Sequence, residues 1–255
     1  MEVGHKHWNG GITMAGTNKA LGQHWLKNRE ILETIADLAV FDDSKEPGGL
    51  CIEIGPGLGT LTSSLLKRFD KVLAVEFDAR LAENLPKSFP GKNLEVINGD
   101  ILEFGFGSIS GEYSVAGNIP YYITSPIIEK VLTASNPASV VVLLMQKEVA
   151  ERICSPKESV LSLFVKNRAE AELGPVVLKS EFEPAPKVDS QVLVLKPFKD
   201  GPRYDDKVLE LVKRAFKNPR KKLKHNIPGV PEKYANLRPE NLKLDDYYEL
   251  FCAIM

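Results

Sequence analysis

Asn118-Ile119-Pro120-Tyr121 is the stretch of this chain whose residue types are best suited to chemistry. An amide, a proline and an aromatic at a strand end can grip a planar base that carries an exocyclic amine. The Asn118 side-chain carbonyl and the Ile119 backbone carbonyl both accept from the amine hydrogens, Pro120 fixes the backbone between them, and Tyr121 offers a ring for stacking. Such a grip aims the nitrogen lone pair at an electrophile. Taken alone, Asn-x-Pro is also an ordinary turn sequence.

A second chemical stretch is Gly55-Pro56-Gly57-Leu58-Gly59, preceded by the apolar run Leu50–Ile54 and followed by helical spacing at Leu61, Leu65 and Leu66. Strand, glycine turn and helix open the βαβ unit of a nucleotide-binding sheet, where glycine lets a ligand approach the backbone and the helix start offers unpaired N–H donors. The next apolar run, Val72–Val75, ends at Glu76, where an acid can accept from both hydroxyls of a ribose. Gly-x-Gly-x-Gly departs from the dinucleotide fingerprint and lacks the Lys-Ser/Thr pair of a phosphate loop. Hydride and phosphoryl transfer are therefore disfavoured. The spacing fits the related sheet that binds S-adenosylmethionine, which has no pyrophosphate to cradle.

Positioning these groups takes a parallel sheet. A third run, Leu94–Ile97, leads to Asn98-Gly99-Asp100-Ile101; Asp100 either accepts from the adenine amine of the cofactor, with Ile101 beside the ring, or caps a turn. A fourth, Tyr113–Gly117, delivers Asn118 to the same carboxyl edge, the ligand-binding edge of open α/β sheets. Helical spacing is expected from Arg29 to Ala39 and at Ile127, Ile128, Val131 and Leu132, with a buried strand at Val140–Leu144.

Composition sets no other partner. Lys plus Arg (33) balance Asp plus Glu (34), so a nucleic-acid surface must be local. Cys51, Cys154 and Cys252 have no metal-ligand spacing and read as small hydrophobes in a reducing compartment; no metal site is expected. No apolar run reaches membrane-spanning length and no signal-peptide core is seen, which makes the cytoplasm the expected location and a monomer the default.

Together, Leu21-Gly22-Gln23-His24-Trp25-Leu26, Glu53 to Gly59, Glu76, Gly99-Asp100, Asn118 to Tyr121, Gln146-Lys147-Glu148 and Phe182-Glu183-Pro184-Ala185-Pro186-Lys187-Val188-Asp189-Ser190 resemble the ribosomal-RNA adenine dimethyltransferase family. The resemblance implies a Rossmann-like, S-adenosylmethionine-dependent methyltransferase sheet. It implies that His24, Leu26, Gly55, Gly57, Glu76, Asp100, Ile101 and Asn118 line the cofactor site, and that Phe182, which by itself reads as a buried strand-end aromatic, lies beside Tyr121 to sandwich the target base. The housekeeping branch, which places two methyl groups on N6 of each of two adjacent adenines near the 3′ end of small-subunit RNA, looks closest. Its rivals are a large-subunit enzyme of the antibiotic-resistance type and a non-catalytic RNA-binding factor. Two departures stand out: His24 and Trp25 replace the family's common Asn and Phe, and the Tyr-Gly-x-Leu-Ser element is reduced to Ser159-Val160-Leu161-Ser162.

Past Pro197 the composition shifts. Lys213, Arg214, Lys217, Arg220, Lys221, Lys222 and Lys224 surround the break at Asn218-Pro219 without an interleaved acid. Seven cations read as a solvated face or, better, as a surface for RNA phosphates. The expected organisation is an N-terminal arm (1–19), a catalytic domain (20–198) and a small helical RNA-binding domain (199–255), with the immature small ribosomal subunit as partner.

Overall fold

Alternation within the apolar runs decides how the sheet is covered. The structure, a computed structural model, describes residues 23–41 and 48–254. The expected arm at 1–19 and Leu21-Gly22 lie outside the described residues. The chain runs β1 (Trp25–Leu26), α1 (Arg29–Leu38), β2 (Leu50–Ile54), α2 (Thr62–Leu65), β3 (Lys71–Glu76), α3 (Ala79–Ser88), β4 (Leu94–Asn98), β5 (Tyr113–Asn118) and α4 (Thr124–Leu132). It continues through β6 (Val140–Gln146), α5 (Lys147–Cys154), α6 (Val160–Lys166), β7 (Ala169–Val177), β8 (Phe182–Glu183) and β9 (Ser190–Pro197) to α7 (Asp206–Ala215), α8 (Glu232–Ala235) and α9 (Leu244–Ile254).

Seven strands form one sheet in the order β4-β3-β2-β5-β6-β9-β7. The first five are parallel, whereas β9 runs antiparallel to both β6 and β7. Successive residues point to opposite faces, so each central strand feeds two cores. Ile52, Val115, Val141 and Leu143 join Ile127, Ile128 and Val131 of α4 in one. Cys51, Ala116, Val142 and Leu144 join Leu32, Ile35 and Ala36 of α1 in the other. A third core gathers Val208, Leu211, Val212, Tyr247 and Leu250 of α7 and α9 around Leu163 of α6. The C-terminal helices are thus built onto a helix of the sheet unit.

Chain order reverses at β2: the chain moves outward through β3 and β4, then returns to β5 on the other side. Ligand crevices in open α/β sheets form at such a switch point. Register brings the strand ends level there, with Ile54 opposite both Val75 and Gly117, and Glu76 opposite Asn98. Helix starts are fixed locally: the Asn28 side chain accepts from the Ile31 amide (3.2 Å) and Asp78 from that of Arg80 (3.0 Å).

Candidate active site

A cleft of ≈ 210 Å³ opens at this aligned edge, and every expected cofactor residue, His24, Leu26, Gly55, Gly57, Glu76, Asp100, Ile101 and Asn118, lines it. Ile119, Pro120 and Tyr121 line it as well. Gly55 and Gly57 sit at φ +63° and +57°, the left-handed region that glycine enters without penalty. A Cβ on Gly55 would meet nothing within 4 Å, so the backbone there faces open space. At Gly57 it would fall 2.0 Å from the Trp25 ring, which lies directly on the turn.

Glu76 is buried, and each carboxylate oxygen accepts one backbone hydrogen bond, from Gly57 and from Asp78 (both 2.9 Å). Burial raises its carboxyl above the ordinary range, while those two amides pull it down. Each oxygen retains a lone pair for a ribose hydroxyl. Asn98 pins the turn by donating to the carbonyls of Glu76 (2.9 Å) and Phe77 (3.2 Å). Asp100 Oδ1 accepts from the Leu102 amide (2.9 Å), so the turn-capping alternative holds for one oxygen and leaves the other for a ligand.

The Asn118 amide has a determined orientation. Its Nδ2 donates to the His24 carbonyl (2.9 Å), which can only accept, so Oδ1 is the atom left to receive a proton donor. The Pro120 and Tyr121 carbonyls are engaged within the turn by the Ile123 amide (3.3 Å) and Thr124 Oγ1 (3.2 Å). The Tyr121 hydroxyl shares a 2.7 Å hydrogen bond with Ser190 Oγ, which anchors its ring.

His24 does more than occupy the position of the family's Asn. Its Nδ1–H donates to the Pro184 carbonyl (2.7 Å), which assigns the tautomer, and its ring stacks on Tyr121 with centroids 6.1 Å apart and planes at 24°. Phe182, by contrast, is not brought to the cleft wall. It pairs across β1 with Leu26, is 2% exposed, and belongs to the same core as Leu26, Val177 and Val192. The ring stacked on Tyr121 in this structure is that of His24, and Phe182 is buried beside β1.

Three further residues, Phe77, Tyr122 and Glu53, line the cleft without having been singled out by their sequence context. Phe77 and Tyr122 line the cleft while remaining 62% and 64% exposed, and their only signal is adjacency to Glu76 and Tyr121. Glu53 lies in the glycine-turn motif without an assigned role. It is 1% exposed, its Oε2 has no hydrogen-bond partner, and burial pushes its carboxyl up to about 8, with Glu76 adding to the shift. A buried carboxyl with one unpartnered oxygen beside a second acid is a group whose ionisation a cationic ligand in the cleft would favour, such as the sulfonium and ammonium of S-adenosylmethionine. No group of His, Cys, Asp and Glu able to hold a metal occurs among the described residues.

Six of the seven expected RNA-contacting cations have no ion-pair partner among the described residues; Lys213 pairs with Glu210 at 2.9 Å. All seven are exposed. Asn226 holds their loop against the end of α7 by donating to the carbonyls of Ala215 (2.7 Å) and Asn218 (3.1 Å). No helix among the described residues is long and apolar enough to cross a membrane.

The model of the ribosomal RNA adenine dimethylase family matches residues 14–245. The ribosomal RNA small subunit methyltransferase A of Mycoplasma capricolum is 36% identical, covering 92% of this chain and 97% of that protein. The protein of the same name from Nostoc punctiforme is 40% identical over 86% of this chain and 84% of its own length. Among solved structures, a dimethyladenosine transferase from Plasmodium falciparum superposes with a TM-score of 0.75 at 27% identity, covering 89% of this chain and 96% of that one. The 23S rRNA methyltransferase ErmE gives 0.72 at 25% identity, with 90% and 99% covered. A family model that matches most of the chain, and relatives 36% and 40% identical over most of its length, place this chain in the ribosomal RNA adenine dimethylase family.

Proposed function

We propose that this protein dimethylates N6 of two adjacent adenines near the 3′ end of small-subunit ribosomal RNA, acting on the immature subunit as a monomer in the cytoplasm. The observation that carries this reading is the Asn118 amide, whose Nδ2 is committed to the His24 carbonyl (2.9 Å) so that Oδ1 remains to accept from an exocyclic amine. S-adenosylmethionine supplies the methyl group on a positively charged sulfur, held by Glu76 at the ribose, by Asp100 and Ile101 at the adenine, and by Gly55, Gly57, His24 and Leu26. Asn118 Oδ1 and the Ile119 carbonyl draw the amine hydrogens into a pyramidal arrangement and stabilise positive charge as it develops on nitrogen. Tyr121, held through Ser190, restores the stacking that a flipped base loses, a term of a few kcal/mol. The proton leaves the methylated ammonium to water, so no side chain is required as a base. The basic loop at 213–224 holds RNA phosphates.

Relatives named for the small subunit favour that substrate over the large-subunit alternative, because the two solved neighbours differ little in fold similarity. The test is mass spectrometry of RNA from unmethylated small subunits, with large subunits alongside, after incubation with S-adenosylmethionine. Dimethyladenosine in small-subunit RNA alone is the expected outcome; modification of large-subunit RNA overturns the choice of substrate, and binding without modification overturns catalysis. Asn118→Ala abolishes turnover and reduces cofactor affinity only modestly by calorimetry. Near-normal turnover in that variant would sink the proposed grip.

A further inference from the structure

Three lysines outside the basic loop converge on a second concavity, and we propose that it holds a backbone phosphate of the RNA strand that carries the target adenine. This rests on the RNA-substrate reading above. Lys147 opens α5, Lys179 follows β7 and Lys187 lies between β8 and β9, so three separate segments each bring one lysine to an open hollow of ≈ 420 Å³. Glu148, Glu151 and Asp189 share the rim, the first two of them facing cations. Arg152 donates to Glu148 (2.7 Å), Glu151 faces Lys147 at 3.8 Å, and Asp189 Oδ1 accepts from the Lys179 amide (3.0 Å). Lys179 and Lys187 are exposed and have no ion-pair partner among the described residues. Two lysines against the single unneutralised carboxylate of Asp189 leave a net positive charge for an external anion.

The hollow is wired to the base site. Gln146 pairs with Ser190 across β6 and β9, the Lys147 amide donates to the Asp189 carbonyl (3.1 Å), and Ser190 holds the Tyr121 hydroxyl (2.7 Å). Lys187 is three residues before Ser190, a span of at most about 11 Å of extended chain. A strand whose adenine stacks on Tyr121 therefore passes within reach of the lysines. Ammonium groups bind phosphate as point charges and read no base, so the site positions the strand and leaves base selection to Asn118 and Tyr121. The pairing of the Gln146-Lys147-Glu148 and Pro186-Lys187-Val188-Asp189 stretches across one hollow also gives both a role that neither has alone.

The test compares the Lys179→Ala/Lys187→Ala double variant with the Lys179→Arg/Lys187→Arg variant and the wild type. Binding to unmethylated small subunits is measured across a salt series, together with kcat, KM for the subunit and the Kd for S-adenosylmethionine. Removing one cation from a single-strand phosphate lowers the slope of log affinity against log salt by about 0.7. The alanine pair is expected to lower that slope by about 0.7 to 1.4 and to raise KM, while kcat at saturating subunit and cofactor affinity stay at wild-type values; the arginine pair retains the wild-type slope. An unchanged slope and KM in the alanine pair overturns the phosphate site and leaves the substrate assignment standing. A wild type that neither binds nor methylates small subunits overturns both.

Discussion

Glu53 occupies the penultimate position of β2, where its side chain can spread no charge into water. Its carboxyl is raised from an ordinary 4.5 to about 8 by burial, so between those values the native protein keeps a proton that the unfolded chain releases. The stability this group contributes is complete below its unfolded pKa and is lost as pH rises through its folded one, at up to about 1.4 kcal/mol per pH unit. Glu76, also raised by burial, acts in the same direction, whereas Cys51, whose thiol is pushed up by burial, acts only at alkaline pH. Glu53→Gln, an uncharged isostere, is expected to flatten the fall in Tm between pH 5 and pH 8 without abolishing it. The same ionisation answers to ligand charge, since a cation in the cleft favours the carboxylate. Calorimetry should therefore find cofactor affinity rising with pH over this window in the wild type and less steeply in Glu53→Gln. Parallel profiles for the two proteins would show that Glu53 is not the titrating group. Its role was illegible in the sequence because a Glu inside an apolar strand looks like part of a motif until its burial is known.

The glycine turn and β1 form one unit, because Trp25 lies on Gly57 and Leu26 pairs with Phe182. Gly57→Ala demands both a left-handed alanine, which costs about 1–2 kcal/mol, and displacement of the Trp25 ring. A rise of about tenfold or more in the cofactor Kd is expected, and Trp25→Ala in the same chain should recover part of it, a non-additivity that a double-mutant cycle measures. Additive losses would mean that the ring and the turn do not communicate. Elements of this kind divide by how visible they are in the sequence. The parallel strands are legible because each is an apolar run ending in a residue with chemistry: Ile54 at the glycines, Val75 at Glu76, Gly117 at Asn118. β7 and β9 are not. Ala169–Val177 carries Gly174-Pro175 and a register shift between Leu173 and Val176, which suits an edge strand but hides its period, and β9 follows a motif whose side chains mask the strand beyond them. Two-residue β1 and β8 have no periodicity at all, so the placement of Phe182 in the core rather than in the cleft depends on a pairing between residues 156 to 158 apart in sequence that no local pattern encodes.

At the scale of the whole molecule, the cleft and the basic loop belong to units joined around one buried carboxylate. Glu158, 1% exposed at its side chain, accepts from Lys166 (2.8 and 2.9 Å), from Ser162 (2.8 Å) and from Lys243 (3.1 Å), and its amide donates to the Glu240 carbonyl (2.9 Å). Lys243 also donates to the Pro156 carbonyl. Ser159 and Ser162 complete a reciprocal cap at the start of α6, so the stretch Ser159-Val160-Leu161-Ser162 is the helix start that directly follows Glu158. Glu158→Ala leaves two ammonium groups facing each other. Both lysines are partly exposed, which screens them, so the expected loss of stability is about 1–2 kcal/mol rather than the 3–5 of a fully buried pair. The consequence for function follows from geometry. Glu76, Asn118 and the glycine turn lie on the sheet and are untouched, so cofactor affinity should not change. The cations of 213–224 lie beyond the joint, and loosening it spreads their positions relative to Asn118, which weakens RNA binding without altering its salt slope, since every phosphate keeps its cation. Lower RNA affinity with an unchanged slope and normal cofactor binding is the expected result for Glu158→Ala. A reduced slope would mean that the joint itself holds phosphates, and a weakened cofactor site would mean that the two units are coupled through the sheet.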